Sequence, residues 1–207
     1  FRLKVLAKTS LWGDSYMYVF IKDSAKKSMK ERKGLILHLK NHGRTLDDQV
    51  GDVADIYYED IALKELGYNK AGTGQALIFE TDIRKSYDEK TFNKYRNGLV
   101  KQHSIGLQYV KLDLAINDPE DEKEYDFWNK YIEQVINPEA CEEKGYFWVV
   151  PEYKLIENSA VLFGSNRLTP TLDAKQDTTD QPLKGTEHEP SIKNFDISTA
   201  ITLTKFF

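Results

Sequence analysis

Three residues of this sequence have side chains that together could carry out acyl transfer. His42 follows the apolar run 35–39, Ser104 opens a strand-like segment, and Glu157 lies among the apolar residues of 155–162. A serine hydroxyl is too weakly acidic to attack a carbonyl unaided, so an imidazole must take its proton and a third group must orient the imidazole. Because the three residues are far apart in the sequence, only folding can bring them together.

Strands are predicted in the first half of the chain, on either side of His42. The runs 3–7, 16–21 and 35–39 are rich in β-branched, aromatic and other apolar residues, which is typical of buried strands. The segments 51–58 and 75–80 carry strand-like patterns on either side of a Gly-Thr-Gly turn. This arrangement predicts a hairpin with a long loop.

A helix is predicted to lead into the segment of Ser104. Phe92, Tyr95 and Leu99 recur at spacings of three and four, which puts them on one helical face, and Gly98 marks the end of the helix. The alternation that follows indicates a strand. Ser104 would therefore stand at the start of a strand, a position suited to an exposed nucleophile.

Glu157 is predicted to lie in one of the last core strands, 146–150 and 153–163. An unpaired carboxylate in a partly buried strand would be costly, so burial itself predicts a partner, for which His42 is the candidate. The alternative is a solvent-facing glutamate with another carboxylate in its role. Three aspartates in the loop after His42 compete for that role: Asp47, Asp48 and Asp52.

Two further histidines lie near the candidates. His38 would share a face with His42 if both were in a strand, but no third residue follows at a metal-ligand spacing. We therefore predict no metal site and no cofactor, and expect His38 to pack at the edge of the core. His103 directly precedes Ser104, and successive strand side chains point to opposite faces. His103 is thus expected to be a structural neighbour of the site and not its base.

The sequence context of the three candidates resembles that of the prohead proteases of tailed phages. These serine peptidases trim capsid and scaffold proteins during head assembly. The shared features are an apolar strand ending in Asn-His at 41–42, a helix with a glycine before Ser-Ile-Gly at 104–106, and a Leu-x-Glu-x-Ser strand at 155–159 with Asn166 after it. The resemblance covers roughly residues 15 to 170.

The resemblance implies both a fold and an activity. The fold would be like that of the herpesvirus assembly proteases, an α+β fold with a mostly antiparallel β-barrel or sheet core and several surrounding helices. Our own interpretation of strands interrupted by a few helices agrees with that class. The implied activity is that of a serine endopeptidase in which Ser104 is the nucleophile, His42 the general base and Glu157 the carboxylate that orients His42.

The resemblance also implies partners and a location. The substrates would be the major capsid and scaffold proteins of the phage and the protease itself. Cleavage would take place in the host cytoplasm, inside the assembling procapsid, as part of virion maturation. The sequence does not determine the oligomeric state, and a homo-oligomer is one of the states that it allows.

The length and composition predict one domain with appendages. A chain of 207 residues with 40% hydrophobic content can bury one sizeable core. We assign residues 1–170 to a catalytic domain and 171–207 to a linker and tail, because the residues after 170 are largely polar. Within the tail, 197–203 alternates like an extra strand.

A helical insertion is predicted at 118–140, between the segments of Ser104 and Glu157. Asp118 and Pro119 are predicted to be the N-terminal cap and the first residue of an amphipathic helix. The preferred interpretation is a helix packed on the sheet, with docking of a partner as the alternative.

Charge and composition argue against several classes of function. The 33 acidic and 29 basic residues are mixed along the chain and give a net charge of −4, so no basic stripe predicts binding to nucleic acid. No apolar run approaches the roughly 18 residues of a membrane span and no signal segment opens the chain, so we expect a soluble protein without a membrane partner. The single Cys141 cannot form an internal disulfide, which fits a reducing cytoplasm.

Two other functions remain as alternatives. The chain could be a non-catalytic capsid or scaffold assembly component that retains the protease fold and docks through its inserted helix and tail. An aromatic content of 12% also fits a β module that binds a ligand such as a sugar. The presence of His42, Ser104 and Glu157 together favours the enzyme.

Overall fold

The computed structural model, which describes residues 1–175, contains one eight-stranded sheet, and the strands predicted from apolar runs and alternation lie in seven of its strands. The strands are β1 (Arg2–Thr9), β2 (Tyr18–Phe20), β3 (Leu37–Lys40), β4 (Gln49–Ala62), β5 (Thr73–Ile83), β6 (Gln102–Ile116), β7 (Tyr146–Val161) and β8 (Thr171–Lys175). The helices of this part of the chain are α1 (Lys26–Glu31), α2 (Glu89–Arg96), α3 (Glu122–Tyr131) and α4 (Pro138–Lys144), with short 3₁₀ turns at Leu46–Asp48 and Ile132–Gln134. The predicted α+β class is confirmed. Among these helices, none combines the length and apolar character needed to cross a membrane.

β7 is the strand around which the sheet is organised. β6 runs antiparallel to β7 along its length, from Gln102 opposite Val161 to Ile116 opposite Tyr146. Because β6 occupies one edge of β7, β2 and β3 share the other edge, and both pair with β7 in parallel. The order then continues through β4, β5, β1 and β8 by antiparallel pairing. The sheet is thus mostly antiparallel, as predicted, with two parallel pairs.

The sheet is open and does not close into a barrel, so of the two predicted architectures the sheet is the one formed. The segment 164–170 lies between β1 and β6 and contacts both. The Leu6 amide donates a hydrogen bond to the Pro170 carbonyl at 3.0 Å, and the His103 amide donates to the Thr169 carbonyl at 3.2 Å. The two strands are therefore linked through this segment without pairing with each other.

The main core packs on one face of the sheet, which we call the inner face. It includes Leu3, Phe79, Tyr153, Leu155 and Ala160, all of which are buried. Apolar residues at these strand positions account for the burial, since alternate side chains of a strand point to the same face. On β7 the alternation is interrupted at Ile156, because Leu155 and Glu157 stand opposite adjacent residues of β6, Leu107 and Gly106. Beyond this bulge, residues 158 and 160 face inward, and residues 157 and 159 lie on the opposite, outer face.

β7 is one continuous strand, so the prediction of two strands at 146–150 and 153–163 was wrong. The two residues left between the predicted strands are Pro151 and Glu152, and proline has no N–H to donate to a ladder. The strand continues through Pro151, and the pairing with β6 becomes irregular nearby, with register shifts around Lys111. Irregular pairing at this point accommodates a residue that cannot donate.

The predicted insertion contains two helices and not one, and the helix does not begin at Pro119. Asp118 accepts hydrogen bonds from the amides of Glu120 and Asp121, which forms a turn before α3. In α3, Trp128 is buried and its ring centroid lies 5.3 Å from that of Phe147 on β7. The insertion therefore packs on the sheet, in agreement with the preferred interpretation.

The sheet extends past residue 170, where we had placed the end of the catalytic domain. β8 pairs antiparallel with β1, from Arg2 opposite Lys175 to Val5 opposite Thr171. Five residues assigned to the linker thus belong to the sheet. The rest of the predicted linker and the predicted strand at 197–203 lie outside the described residues.

Candidate active site

A tight turn at the end of β3 carries His42. The Gly43 amide donates to the Lys40 carbonyl at 2.9 Å, and the two central residues have positive φ, 52° for Asn41 and 54° for His42. These features are those of a type I′ turn. A left-handed conformation costs a residue with a β-carbon about 1–2 kcal/mol, and asparagine tolerates it better than most residues. His42 is therefore held in a strained turn and does not share a strand face with His38.

His42, Glu157 and Ser159 form a closed ring of hydrogen bonds. His42 Nδ1 lies 2.6 Å from Glu157 Oε1, Ser159 Oγ donates to Glu157 Oε2 at 2.8 Å, and the His42 amide donates to Ser159 Oγ at 3.0 Å. The ring fixes both the imidazole and the strained backbone of the turn. Sequence analysis gave Ser159 no role, although residues two apart in a strand share a face and this spacing could have indicated it.

The carboxylate of this ring is buried and the imidazole is half exposed. The Glu157 side chain is 7% exposed and the His42 side chain 43%. The hydrogen bond to Glu157 raises the pKa of His42 above its ordinary value, against the opposing effect of burial. Because a carboxylate only accepts, neutral His42 donates through Nδ1, which leaves Nε2 as the basic nitrogen.

Ser104 lies next to this ring on the neighbouring strand. It stands directly opposite Ser159, and Gly106 stands opposite Glu157. Directly opposed residues of an antiparallel pair share a face, with their Cβ atoms about 4.5–5.5 Å apart. The hydrogen bonds among the described residues do not include one between Ser104 Oγ and His42 Nε2. Ser104 is therefore a neighbour of the ring across the strand pair, and we call His42, Ser104, Glu157 and Ser159 the outer cluster.

Gly106 makes room for the carboxylate of the outer cluster. A β-carbon at this position would lie 2.9 Å from Glu157 Cδ, closer than real contacts allow. We had considered that Gly106 might allow another backbone, such as that of a bound peptide, to approach closely. Glu157 occupies this space instead, so the absence of a side chain at Gly106 allows the carboxylate to lie there.

Two of the three competing aspartates bind other residues. Asp48 accepts hydrogen bonds from the amide and hydroxyl of Thr45, and Asp52 pairs with Arg84 and Tyr87. Of the carboxylates in residues 1–175, Glu157 is the one that hydrogen-bonds His42. The geometry therefore favours Glu157 over the loop aspartates as the partner of the imidazole.

A second histidine system lies on the inner face of the sheet, and we call it the inner network. His38 Nε2 lies 3.0 Å from the Tyr95 hydroxyl, which in turn lies 3.0 Å from His103 Nε2. Both imidazoles are fully buried. The remaining partners are Thr81, Asn158 and the Thr169 carbonyl. His38 and His103 are thus core residues, and His38 does not pack at the edge of the core as the sequence had indicated.

The direction of donation through the inner network follows from the Thr169 carbonyl, which only accepts. His103 must donate to this carbonyl through Nδ1, so its Nε2 accepts from the Tyr95 hydroxyl. Tyr95 then accepts from His38 Nε2, and His38 Nδ1 accepts from the Thr81 hydroxyl. This chain of donors keeps both imidazoles neutral. With His38 Nε2 protonated, the Asn158 amide beside it can only accept, so its oxygen must be the atom that faces His38.

Burial keeps the inner histidines neutral. It lowers the pKa of His38 well below its ordinary value and that of His103 to about 4. Neither imidazole is positioned to exchange protons with solvent near neutral pH. Residues 1–175 also contain no group of three or more histidine, cysteine or acidic side chains that could hold a metal ion.

Comparisons with known proteins provide no relative from which to transfer a role. No protein-family model, no curated protein and no solved structure matches this chain. The resemblance to prohead proteases therefore rests on the three short sequence segments alone.

Proposed function

We propose that this chain is a serine endopeptidase with Ser104 as nucleophile, His42 as general base and Glu157 as orienting carboxylate. The observation that carries the proposal is the 2.6 Å hydrogen bond between His42 Nδ1 and Glu157 Oε1, beside a serine on the adjacent strand. A buried carboxylate that fixes the tautomer of a half-exposed imidazole is the arrangement that activates a serine.

The reaction begins with His42 Nε2 taking the proton of Ser104 Oγ as this oxygen attacks the scissile carbonyl. The imidazolium that forms is stabilised by Glu157, and Ser159 holds the carboxylate in place. The proton then passes to the leaving amine as the C–N bond breaks, and an acyl-enzyme remains. Water, deprotonated by the same imidazole, hydrolyses the ester and returns the proton to Ser104.

Substrate binding must bring Ser104 Oγ within hydrogen-bonding distance of His42 Nε2. A productive contact is about 2.6–3.2 Å, and catalytic hydrogen bonds often tighten only when substrate is bound. Ser104 is half-buried and stands on the same face as Glu157 and Ser159. Closure of this contact between Ser104 Oγ and His42 Nε2 is the change that the mechanism requires.

For the substrates, we propose the major capsid and scaffold proteins of a tailed phage, together with this chain itself. This part of the proposal rests on the resemblance of the three segments to prohead proteases. It places the reaction in the host cytoplasm, inside an assembling procapsid.

Co-expression of the full chain with the capsid and scaffold proteins of its phage tests this function. We expect mass spectrometry to find fragments with the wild type and none with Ser104→Ala. Ser86→Ala, which changes an exposed serine in the loop before α2, is the matched control and should cleave as the wild type does. Identical fragment patterns for the wild type and a folded Ser104→Ala variant would contradict the proposal.

A non-catalytic assembly component is the second candidate, and an exposed apolar patch favours it. Leu162 and Phe163, just after β7, are 81% and 90% exposed, and Leu99 is 64% exposed. Exposed apolar groups of this size often mark contacts with other proteins. The same co-expression separates the two functions, because an assembly component would co-purify with capsid protein without cutting it.

A further inference from the structure

A groove of about 360 Å³ lies between α2 and the ends of β3 and β7. It is lined by residues from the end of β3, from α2 and the loop that follows it, and from the end of β7. We call it the lysine groove, after Lys40, Lys90 and Lys94 in its lining. The four residues of the outer cluster are not in this lining, so the groove is separate from the proposed site of hydrolysis.

The lysine groove carries positive charge that its own residues do not neutralise, although the chain as a whole has a net charge of −4. Asp88 is the acidic residue of the lining, and it already pairs with Lys40. Lys90 and Lys94 are exposed, and within residues 1–175 the ion pairs of lysine involve other lysines. They stand four residues apart on α2, where like charges share a helical face and repel each other. A guest with carboxylates would relieve this repulsion.

The rest of the groove is largely apolar. Ala160 is buried, whereas Leu99 and Leu162 in the lining are 64% and 81% exposed. Phe163, the residue after Leu162, is 90% exposed. Removing such side chains from water is favourable in proportion to the apolar area covered. The groove therefore favours a guest that has apolar side chains as well as carboxylates.

We propose that the lysine groove docks a segment of a partner protein that combines acidic with apolar side chains. The apolar side chains of this segment pack on Leu99 and Leu162, and its carboxylates pair with Lys90 and Lys94. Complementary charge selects such a segment over a basic one, and the apolar surface selects it over a plain polyanion such as a nucleic acid. The inference is independent of hydrolysis at Ser104, because it concerns recognition of the partner and not its cleavage.

Peptide binding to the full chain carrying Ser104→Ala tests the groove without cleavage of the probe. The probe is fluorescein-Gly-Glu-Leu-Glu-Leu-Glu-amide, and two companion peptides carry Lys in place of Glu or Ser in place of Leu. We expect fluorescence anisotropy to show that the probe binds at least about tenfold more tightly than either companion, because each companion lacks one of the two complementary features.

Variants of the groove show whether these residues are responsible. Lys90→Glu with Lys94→Glu should reverse the preference, so that the Lys peptide binds more tightly than the Glu peptide. Lys123→Glu with Lys130→Glu makes the same change in net charge at exposed positions of α3, and this matched control should keep the preference for the Glu peptide. Leu162→Ser changes an exposed residue and should reduce the affinity for the probe toward that for the Ser peptide.

Four results would overturn the proposal. The first is a wild-type groove that binds the Lys peptide as tightly as the probe, and the second is an unchanged preference in the variant of Lys90 and Lys94. The third is the same loss of preference in the α3 control. The fourth is equal binding of the Ser peptide and the probe, which would assign the groove to polyanions in general.

Cleavage assays on the wild type keep this inference apart from the proposed function. Selective docking without any cleavage would retain the lysine groove and contradict the peptidase. Cleavage without selective docking would retain the peptidase and contradict the groove.

Discussion

Adjacent residues of β7 belong to two histidine systems on opposite faces of the sheet. Glu157 and Ser159 hold His42 in the outer cluster, and Asn158 between them contacts His38 in the inner network. His42 has a carboxylate partner and is half exposed, whereas His38 and His103 are fully buried with uncharged partners. The pKa of His42 is raised and the pKa values of the inner pair are lowered. The same side chain is thus suited to proton transfer on one face and to structure on the other.

The largest effect is expected from removing the charge of the outer cluster. Glu157→Gln should lower kcat/KM by about 10³–10⁴, because an amide neither enforces the tautomer of His42 nor stabilises its imidazolium. The pKa of His42 should also fall, so the acid limb of the pH–rate profile should move to lower pH. Steady-state cleavage across pH measures both changes.

Glu152→Gln is the matched control, since Glu152 lies on the same strand and pairs with Lys27. Its kinetics should match those of the wild type. Equal activity of Glu157→Gln and Glu152→Gln would remove the functional distinction between the two faces of β7.

Acid should destabilise the protein through the inner network and not through the outer cluster. His103 has a pKa of about 4 when folded and about 6.5 when unfolded, so the unfolded chain takes up the proton first as the pH falls. Its contribution to the free energy of unfolding should drop by about 2 kcal/mol from about pH 6.5 to pH 5. His42, with its raised pKa, contributes stability that is fully present below about pH 6.5 and is lost as the pH rises through its folded pKa.

Urea unfolding at the two pH values measures this difference. His103→Gln should show a smaller loss of stability on acidification than the wild type, and His42→Gln should show the same loss as the wild type. If His103→Gln had the same acid dependence as the wild type, the inner network would not be the origin of the effect.

The smallest expected effect comes from crowding the outer cluster. Gly106→Ala would place a β-carbon against the Glu157 carboxyl group, which must shift away from His42. We expect kcat/KM to fall by about tenfold, since small misplacements of catalytic groups are costly. Gln108→Ala, on the same strand and exposed, should leave the rate unchanged. An unaffected rate in Gly106→Ala would show that the position of Glu157 does not limit catalysis.

The sequence predicted those parts of the fold that depend on local pattern. Alternation and apolar runs located the strands, and the spacing of Phe92 and Tyr95 located α2. The prediction was wrong at two prolines: at Pro119, where Asp118 forms a turn instead of a cap, and at Pro151, which lay outside the predicted strands and which β7 passes through. Proline restricts its own backbone but does not decide whether neighbouring strands continue around it.

The sequence predicted part of the candidate site for a different reason. Burial of Glu157 in an apolar strand implied a partner, and His42 is in contact with it. The inner network could not be anticipated, because its six residues come from six separate segments that only the folded sheet brings together.

The most direct test of the outer cluster is the reaction of the full-length wild type with a fluorophosphonate from about pH 5 to about pH 9, with the modified residue located by mass spectrometry. The proposed mechanism predicts one modified residue, Ser104, with a rate that rises with pH through an ionisation above 6.5 and disappears in His42→Ala. A folded wild type that is not modified, or is modified at another residue, would contradict the assignment of His42, Ser104 and Glu157 as a catalytic unit.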